Sequence, residues 1–276
     1  MKVRRAERLI DMTRYFLEHP QTLVSLSVFA SKYEAAKSSV SEDLTILNRA
    51  LQNRGVGKLT TYPGAAGGVM FTTYMSKQNA QKLIDKLCEE AVKGDRVMPG
   101  GYVYFSDILG RPEILREIGK LIATEYSNKK VDAVLTVAVK GISLAQAVAE
   151  QLNVPFVIAR QDGAVTDGAT VSVNYLSKSS SEIGKIQVAS RALPAGSHVL
   201  LVDDFIKGGG TMSGLVDLVH EIYCEVAGIT VFGEGRYTGV RKIKEFTSLL
   251  HVETVTNDDD QLDLKITPGN ILDKIY

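Results

Sequence analysis

Two adjacent carboxylates and a run of glycines follow one another in residues 199–211, VLLVDDFIKGGGT. Asp203 and Asp204 come directly after four apolar residues, and Gly208, Gly209 and Gly210 precede Thr211. Carboxylate oxygens accept hydrogen bonds, and adjacent ones suit the vicinal hydroxyls of a ribose. Backbone N–H groups of a glycine loop that opens a helix bind an anion. The stretch therefore predicts a site for a sugar and a phosphate, the alternative being a plain strand-to-helix turn capped by an aspartate.

The sequence on either side of this stretch is predicted to form strands that alternate with helices. That order predicts an α/β fold with a parallel sheet, in which ligands lie beyond the carboxyl ends of the strands. Strands are expected at 133–139, 156–159, 199–202 and 229–232, and helices at 76–93, 112–126, 142–152 and 211–226. The tail after Leu249 carries three consecutive aspartates and few packing residues, and it is expected to be exposed.

The carboxylate and glycine stretch resembles the phosphoribosyl pyrophosphate (PRPP) signature of the type I phosphoribosyltransferases. The loop 139–141 (VKG) looks like the pyrophosphate loop of that family, and the polar segment 175–184 (YLSKSSSEIG) stands where the family has a mobile lid. The resemblance covers residues 99–235 and implies a PRPP site. The residues that it assigns to PRPP are Asp203, Asp204, Phe205, Ile206, Lys207, Gly208, Gly209, Gly210, Thr211, Val139, Lys140, Gly141, Tyr102, Arg160 and Lys178.

Three of these assignments have alternatives. Many active transferases have a small or acidic residue at the position of Lys207, and a lysine beside phosphates stays charged and cannot serve as a base. Lys207 therefore favours binding of a heavily phosphorylated ligand over catalysis. Tyr102 either stacks near the ligand or belongs to the core, and Arg160 either faces the phosphates or faces solvent.

The first 74 residues have the helix and hairpin order of a winged helix-turn-helix. Helices are expected at 4–18 and 26–33, with Leu9, Ile10, Phe16 and Leu17 on the inner face of the first. A third helix is expected to begin at a capping box of Ser39 and Glu42, and a glycine-tipped hairpin follows at 58–74. These signals predict a DNA-binding domain at 1–74 and a phosphoribosyltransferase-like domain at 75–276.

The third helix would place its first turn in the major groove, and the hairpin would lie along a neighbouring groove. Lysines, arginines and short hydroxyl side chains can contact phosphates or base edges there. The alternative is a small helical dimerisation domain with solvated charges. The residues predicted to bind DNA are Lys2, Arg4, Arg5, Lys37, Ser38, Ser39, Ser41, Lys58 and Thr60.

Composition restricts the environment of the chain more than its partners. The 276 residues carry 32 basic and 32 acidic side chains, so net charge does not identify a partner. Cys88 and Cys224 lie in helix-like patterns, which fits a reducing cytoplasm. No apolar run is long enough for a bilayer, no secretory signal opens the chain, and no spacing of histidine, cysteine and carboxylates predicts a metal site.

Over nearly its full length the sequence resembles the PurR family of purine operon regulators of Gram-positive bacteria. Besides the stretch at 203–211, the resemblance rests on residues 37–44 (KSSVSEDL), 99–102 (PGGY), Ser106 with Asp107, and 140–144 (KGISL). It implies a homodimer that binds double-stranded operator DNA, with PRPP and Mg²⁺ as effector and no transferase reaction. The alternatives are an active purine phosphoribosyltransferase with an N-terminal interaction domain and a sensor of a purine nucleotide or alarmone.

Overall fold

The computed structural model describes residues 3–93, 96–98, 102–163, 167–177, 182–256 and 262–276. Lys2, Lys178 and the three aspartates of the tail, 258–260, lie outside these residues, as does the side chain of Tyr102. No helix in the described ranges combines the length and the apolar character that crossing a membrane requires.

Three helices and a three-stranded antiparallel sheet form the N-terminal domain. The strand order is β1-β3-β2, with β1 a short strand that the sequence did not predict. The elements are α1 (Arg5–Glu18), β1 (Leu23–Val24), α2 (Leu26–Lys32), α3 (Lys37–Asn53), β2 (Gly57–Tyr62) and β3 (Gly68–Thr73). The predicted order of three helices followed by a hairpin is confirmed.

The packing of α1 and the start of α3 differ from the prediction. Ile10 and Leu17 were expected inside, but they are 71% and 47% exposed, while Met12 and Phe16 of the same helix are buried. α3 begins at Lys37 and not at a Ser39 cap, because the N–H of Val40 already donates to the carbonyl of Ala36 at 3.1 Å. The predicted inner stripe of α3 is confirmed, since Val40, Leu44, Leu47 and Leu51 are all buried.

A six-stranded sheet organises the rest of the chain, in the order β13-β12-β11-β10-β6-β7. Only β13 runs antiparallel to its neighbour, so the predicted parallel α/β sheet is confirmed. The elements are α4 (Lys77–Ala91), β4 (Val97–Met98), β5 (Tyr102–Val103), α5 (Pro112–Tyr126), β6 (Ala133–Val137), α6 (Ile142–Leu152), β7 (Phe156–Ala159), β8 (Thr170–Ser177), β9 (Glu182–Ala189), β10 (His198–Ile206), α7 (Gly210–Glu221), β11 (Glu225–Gly235), β12 (Thr247–Thr256), β13 (Leu262–Pro268) and α8 (Ile271–Ile275).

Each face of this sheet is covered by its own apolar layer. Leu200 and Val202 of β10 pack in one layer with α4, α5, α6 and α8. Val199 and Leu201 of the same strand pack on the opposite face with α7 and the β8–β9 hairpin. Burial on both faces explains why β10 reads as a continuous apolar run.

Two further predictions are wrong. The tail after Leu249 is not exposed, because β12, β13 and α8 extend the sheet and its apolar layer and bury Leu264 and Ile271. Residues 175–177 pair with 182–184 in an antiparallel hairpin, and 178–181 lie outside the described residues, so the predicted lid at 175–184 stays a prediction. α7 stops at Glu221, five residues early, because Tyr223 turns the chain with a φ of 59° and β11 starts at Glu225. Cys224 therefore lies before a strand and not in a helix.

Candidate functional site

The carboxylate pair lies on the last part of β10, at the edge of the sheet where parallel strands end. β10 pairs with β6 over 199–201 only, but it stays paired with β11 up to Ile206. Asp203 and Asp204 therefore lie beyond the residues that pair with β6 and stand beside the loop that leads from β6 into α6. The strand is four residues longer at this end than the predicted 199–202.

The loop 139–141 meets the carboxylate pair directly. A Cβ placed on Gly141 would lie 2.8 Å from Oδ1 of Asp203 and 2.2 Å from Oγ1 of the buried Thr136, so no side chain fits there. Val139 is 79% exposed and Lys140 is exposed, and the peptide bond between Ala138 and Val139 is cis. Two loops that are far apart in sequence thus adjoin at this edge, where Gly141 lies next to Asp203.

Burial makes the ionised carboxylate pair costly in the free protein. Desolvation raises the pKa of Asp203 well above its usual value, and the neighbouring charge of Asp204 raises it further. Desolvation also raises the pKa of Asp204, while the Lys140 ammonium lowers it. The N–H of Asp204 donates to Oδ1 of Asp203 at 2.9 Å. Hydroxyl donors or a cation from a ligand would relieve this repulsion.

The glycine loop presents backbone N–H groups beside the carboxylates. Gly209 has a φ of 77°, which favours glycine, and it caps α7, which begins at Gly210. The first N–H groups of an α-helix, here from Gly210 and Thr211, have no carbonyl partner within the helix. On one side a Cβ on Gly208 would lie 3.3 Å from the ring of Tyr237. The loop therefore combines a helix N-terminus with a backbone that a phosphate can approach closely.

Not every residue of the predicted stretch faces a ligand. Ile206 is 3% exposed and packs in the apolar layer that covers α7. The ring of Phe205 is tilted by 50° to that of Phe105, with centroids 6.3 Å apart, and it packs against the other layer. These two side chains anchor the loop in the core, because alternate residues of a strand point to opposite faces of the sheet.

Lys207 lies on the side of β10 away from the loop 139–141. It lines a cavity of about 490 Å³ on the β11 side of β10, together with Gly235, Arg236 and Tyr237. The cause is topological, since β11 and β6 flank β10 on opposite sides. Arg160 is exposed at the end of β7, where its backbone pairs with Gln187, so it lies on the β6 side of the edge.

Arg241 holds the glycine loop and was not predicted. Its Nε donates to the carbonyl of Lys207 at 3.1 Å, and its terminal nitrogens bind Glu234 at 2.7 Å and the carbonyl of Gly235 at 2.6 Å. The N–H of Lys242 also donates to the carbonyl of Gly208 at 3.2 Å. The available signal was the basic segment 236–244 after β11, because loops at the carboxyl ends of neighbouring strands converge.

A divalent cation would need oxygens from its ligand at this edge. Within the described ranges no three histidine, cysteine or carboxylate side chains converge as a metal site. The raised pKa values of the Asp203 and Asp204 carboxyls suit an incoming cation or hydroxyl. The residues present therefore fit a metal-bound sugar phosphate and do not form a protein-only metal site.

The exposed face of α3 carries the predicted first-turn residues. Lys37, Ser38 and Ser41 are exposed and Ser39 is half-buried. Thr45 and Arg49 continue this exposed face one and two turns farther on, and the helical spacing of four residues from Ser41 could have identified them. On the hairpin, Lys58 is exposed and Thr60 is half-buried.

The two arginines predicted near the start of the chain differ in their surroundings. Arg4 is exposed and precedes α1. Nε of Arg5 binds Oδ1 of Asp43 at 2.8 Å, and Arg8 binds the other oxygen of this fully buried carboxylate at 2.7 Å. Arg5 therefore ties α1 to α3, and because its side chain is still 51% exposed, its contact with DNA stays a prediction.

Comparison with known proteins gives both parts of the chain a family. Residues 4–73 match the family described as bacterial purine repressor, N-terminal, and residues 105–263 match the phosphoribosyl transferase domain. The purine biosynthesis transcriptional activator PurR of Lactococcus lactis is 46% identical over 98% of this chain and 98% of its own. The purine biosynthesis transcriptional repressor PurR of Bacillus subtilis is 44% identical over 99% of this chain and 95% of its own. The adenine phosphoribosyltransferase structure from Thermoanaerobacter pseudethanolicus shares the fold, with a TM-score of 0.50, 19% identity and coverage of 55% and 88% of the two chains.

Proposed function

Because the chain belongs to the PurR family of transcriptional regulators of purine biosynthesis, we propose that PRPP is its effector and that PRPP binds without reacting. The two relatives have opposite regulatory names, so membership assigns purine genes and operator DNA but no sign of regulation. The transferase-like edge of the sheet is then a sensor, and the N-terminal domain binds the operator.

The observation that carries this proposal is the contact of Gly141 with Asp203. It supports one continuous site in which the ribose hydroxyls bind Asp203 and Asp204 and the 5′-phosphate binds the N–H groups of 208–211. The pyrophosphate lies by 139–141, near Lys140 and on the same side of β10 as Arg160. When bound, Mg²⁺ would supply positive charge that offsets the phosphates and the Asp203 and Asp204 carboxylates.

Lys207 supports sensing rather than transfer. Its ammonium lines the cavity beyond the ribose position, where a transferase would hold a general base near the accepting ring. A charged lysine cannot accept a proton. The cavity is lined by Phe205 and Tyr237 as well, so it could admit an aromatic ring without supplying the catalytic group for it.

The regulator is proposed to act as a homodimer. Winged-helix and helix-turn-helix proteins commonly bind two half-sites with a twofold axis. α3 supplies Lys37, Ser38 and Ser41 to the major groove, with Thr45 and Arg49 beyond them, and the hairpin supplies Lys58. Arg4 adds a charge at the start of α1.

Calorimetry with PRPP and Mg²⁺, followed by gel shifts with DNA from upstream of a purine gene, tests the proposal. We expect saturable heat with PRPP and a change in operator affinity when PRPP is added. Adenine, guanine, hypoxanthine and xanthine are then supplied with PRPP, and no nucleotide is expected. Absence of heat with folded protein would contradict PRPP as the effector. Formation of nucleotide at enzymatic rates would contradict the proposal that PRPP binds without reacting.

Replacing Lys37 by alanine should weaken operator binding and flatten its dependence on salt. One phosphate contact contributes about one unit to the slope of log K against log salt concentration. The measurement is operator affinity by fluorescence anisotropy from low to high salt. Lys82→Ala is the matched control, because Lys82 is exposed on α4, outside the N-terminal domain. An unchanged slope for Lys37→Ala would assign Lys37 to the solvent-facing surface.

A further inference from the structure

Helix α6 spans the distance between the carboxylate pair and the N-terminal domain. Its cap is Gly141, which packs on Asp203. Its 11 residues end at Leu152 and correspond to about 16 Å of helix. One element therefore touches the candidate effector site at its start and the neighbouring domain at its end.

The end of α6 makes specific hydrogen bonds to the N-terminal domain. Nδ2 of Asn153 donates to Oγ1 of Thr22 at 2.9 Å. Oγ1 of the buried Thr73 lies 3.4 Å from both the main-chain oxygen and Oε1 of Gln151. Asn153 has a φ of 54°, so the left-handed turn that ends the helix also directs its amide toward Thr22.

The body of α6 is tightly packed, so a displacement at one end is expected to move the whole helix and not to bend it. Leu144, Ala145, Val148 and Ala149 are buried in the main apolar layer. α5 lies directly against α6, since a Cβ on Gly119 would lie only 2.5 Å from the carbonyl of Ala147. A closely packed helix moves as a unit, because interiors are dense and have few voids.

α5 adds a second connection in the same place. Oγ1 of Thr124, in its last turn, accepts the N–H of Met75 at 2.9 Å in a buried position. Met75 follows the last strand of the N-terminal domain. α6 therefore contacts the N-terminal domain, and α5 holds Met75, the first residue after that domain, both through the carboxyl ends of the helices.

We propose that Asn153 and Thr73 are positioning residues through which occupancy of the effector site sets the orientation of the N-terminal domain. This inference rests on the proposed function. A pyrophosphate bound at 139–141 displaces the Gly141 cap, α6 shifts as a rigid body, and the bonds to Thr22 and Thr73 carry the shift to the DNA-binding domain. Helix shifts of about 1–2 Å at interfaces are a known means of switching.

The test is a pair of variants that cut these bonds without touching either ligand surface. Asn153→Gly keeps the left-handed turn, and Thr73→Val keeps the buried volume. The double variant is compared with wild type and with Gln146→Ala, which alters an exposed side chain on the same helix. Calorimetry gives the PRPP affinity, and anisotropy gives operator affinity with and without saturating PRPP.

In wild type and Gln146→Ala, PRPP should change operator affinity by the same factor, within about 5- to 150-fold for a coupled system. In the double variant this factor should fall to about twofold or less, while PRPP affinity and folding stay close to wild type. An undiminished factor would overturn the inference and indicate direct competition between PRPP and DNA. If wild type itself binds no PRPP, the proposed function fails instead, and the two failures are therefore distinct. Thr22→Val removes the acceptor of the Asn153 hydrogen bond on the N-terminal domain. It should lower in part the factor by which PRPP changes operator affinity.

Discussion

Replacing Asp203 by asparagine is expected to abolish the response to PRPP while operator binding persists. The carboxylate of Asp203 is 7% exposed and lies against Gly141 at the centre of the proposed site. Hydrogen bonds to a charged group contribute about 1.5–3 kcal/mol each, so loss of the charge should weaken PRPP binding on the order of 10²-fold. Calorimetry measures this loss, and gel shifts check that the DNA-bound fraction without PRPP is unchanged.

The same substitution should stabilise the protein in the absence of ligand. The pKa of the Asp203 carboxyl is raised by burial in the folded state, whereas an unfolded aspartate has a pKa of about 3.9. At pH values between the unfolded pKa and the raised folded pKa, the folded state therefore binds more protons than the unfolded state. The free energy of unfolding falls as pH rises through that range. At pH 7 the raised pKa of the Asp203 carboxyl is therefore a cost to folding that asparagine removes.

Thermal unfolding at two pH values separates this effect from a packing effect. We expect Asp203→Asn to unfold at a higher temperature than wild type at pH 7, with a smaller difference near pH 4. About 1 kcal/mol corresponds to roughly 2–4 °C in a chain of this size. Asp217→Asn, on the exposed face of α7, is the matched control and should match wild type in both assays. Wild-type PRPP affinity in Asp203→Asn would remove the carboxylate pair from the proposed site.

Replacing Asp43 by asparagine is expected to unfold the N-terminal domain selectively. The Asp43 side chain is 1% exposed and binds Arg8, which is 11% exposed, as well as Arg5. Breaking a buried pair from one side leaves an uncompensated charge and costs about 3–5 kcal/mol. Operator binding should therefore be lost at moderately raised temperature, while PRPP binding by the sheet domain persists.

The control for this substitution lies one residue away. Glu42 approaches Arg5 at 3.7 Å, but it is 73% exposed, so Glu42→Gln should cost less than about 1 kcal/mol. Limited proteolysis and thermal melts of both variants follow the N-terminal domain. If Asp43→Asn melts together with Glu42→Gln, the carboxylate does not hold α1 to α3.

The sequence alone determined those features that depend on neighbours within one element. Residues 112–126 and 142–152 are helices at the predicted bounds, because an apolar period of three to four residues needs no knowledge of distant segments. The stripe Val40, Leu44, Leu47 and Leu51 is buried for the same reason. The carboxylate and glycine stretch was found because strand, loop and helix N-terminus are consecutive in the chain.

Only the tertiary structure decided the features that join distant segments. β12 and β13 were read as an exposed tail because their partner strands, and the core that buries Leu264, are supplied from elsewhere in the chain. The ion pair of Arg5 with Asp43 was not predicted, since nothing local reveals that a carboxylate 38 residues later is buried against it. The hold of Arg241 on the glycine loop and the link from α6 to Thr22 arise in the same way. Periodicity encodes which face of an element is buried, but which element covers that face is settled only when the chain packs.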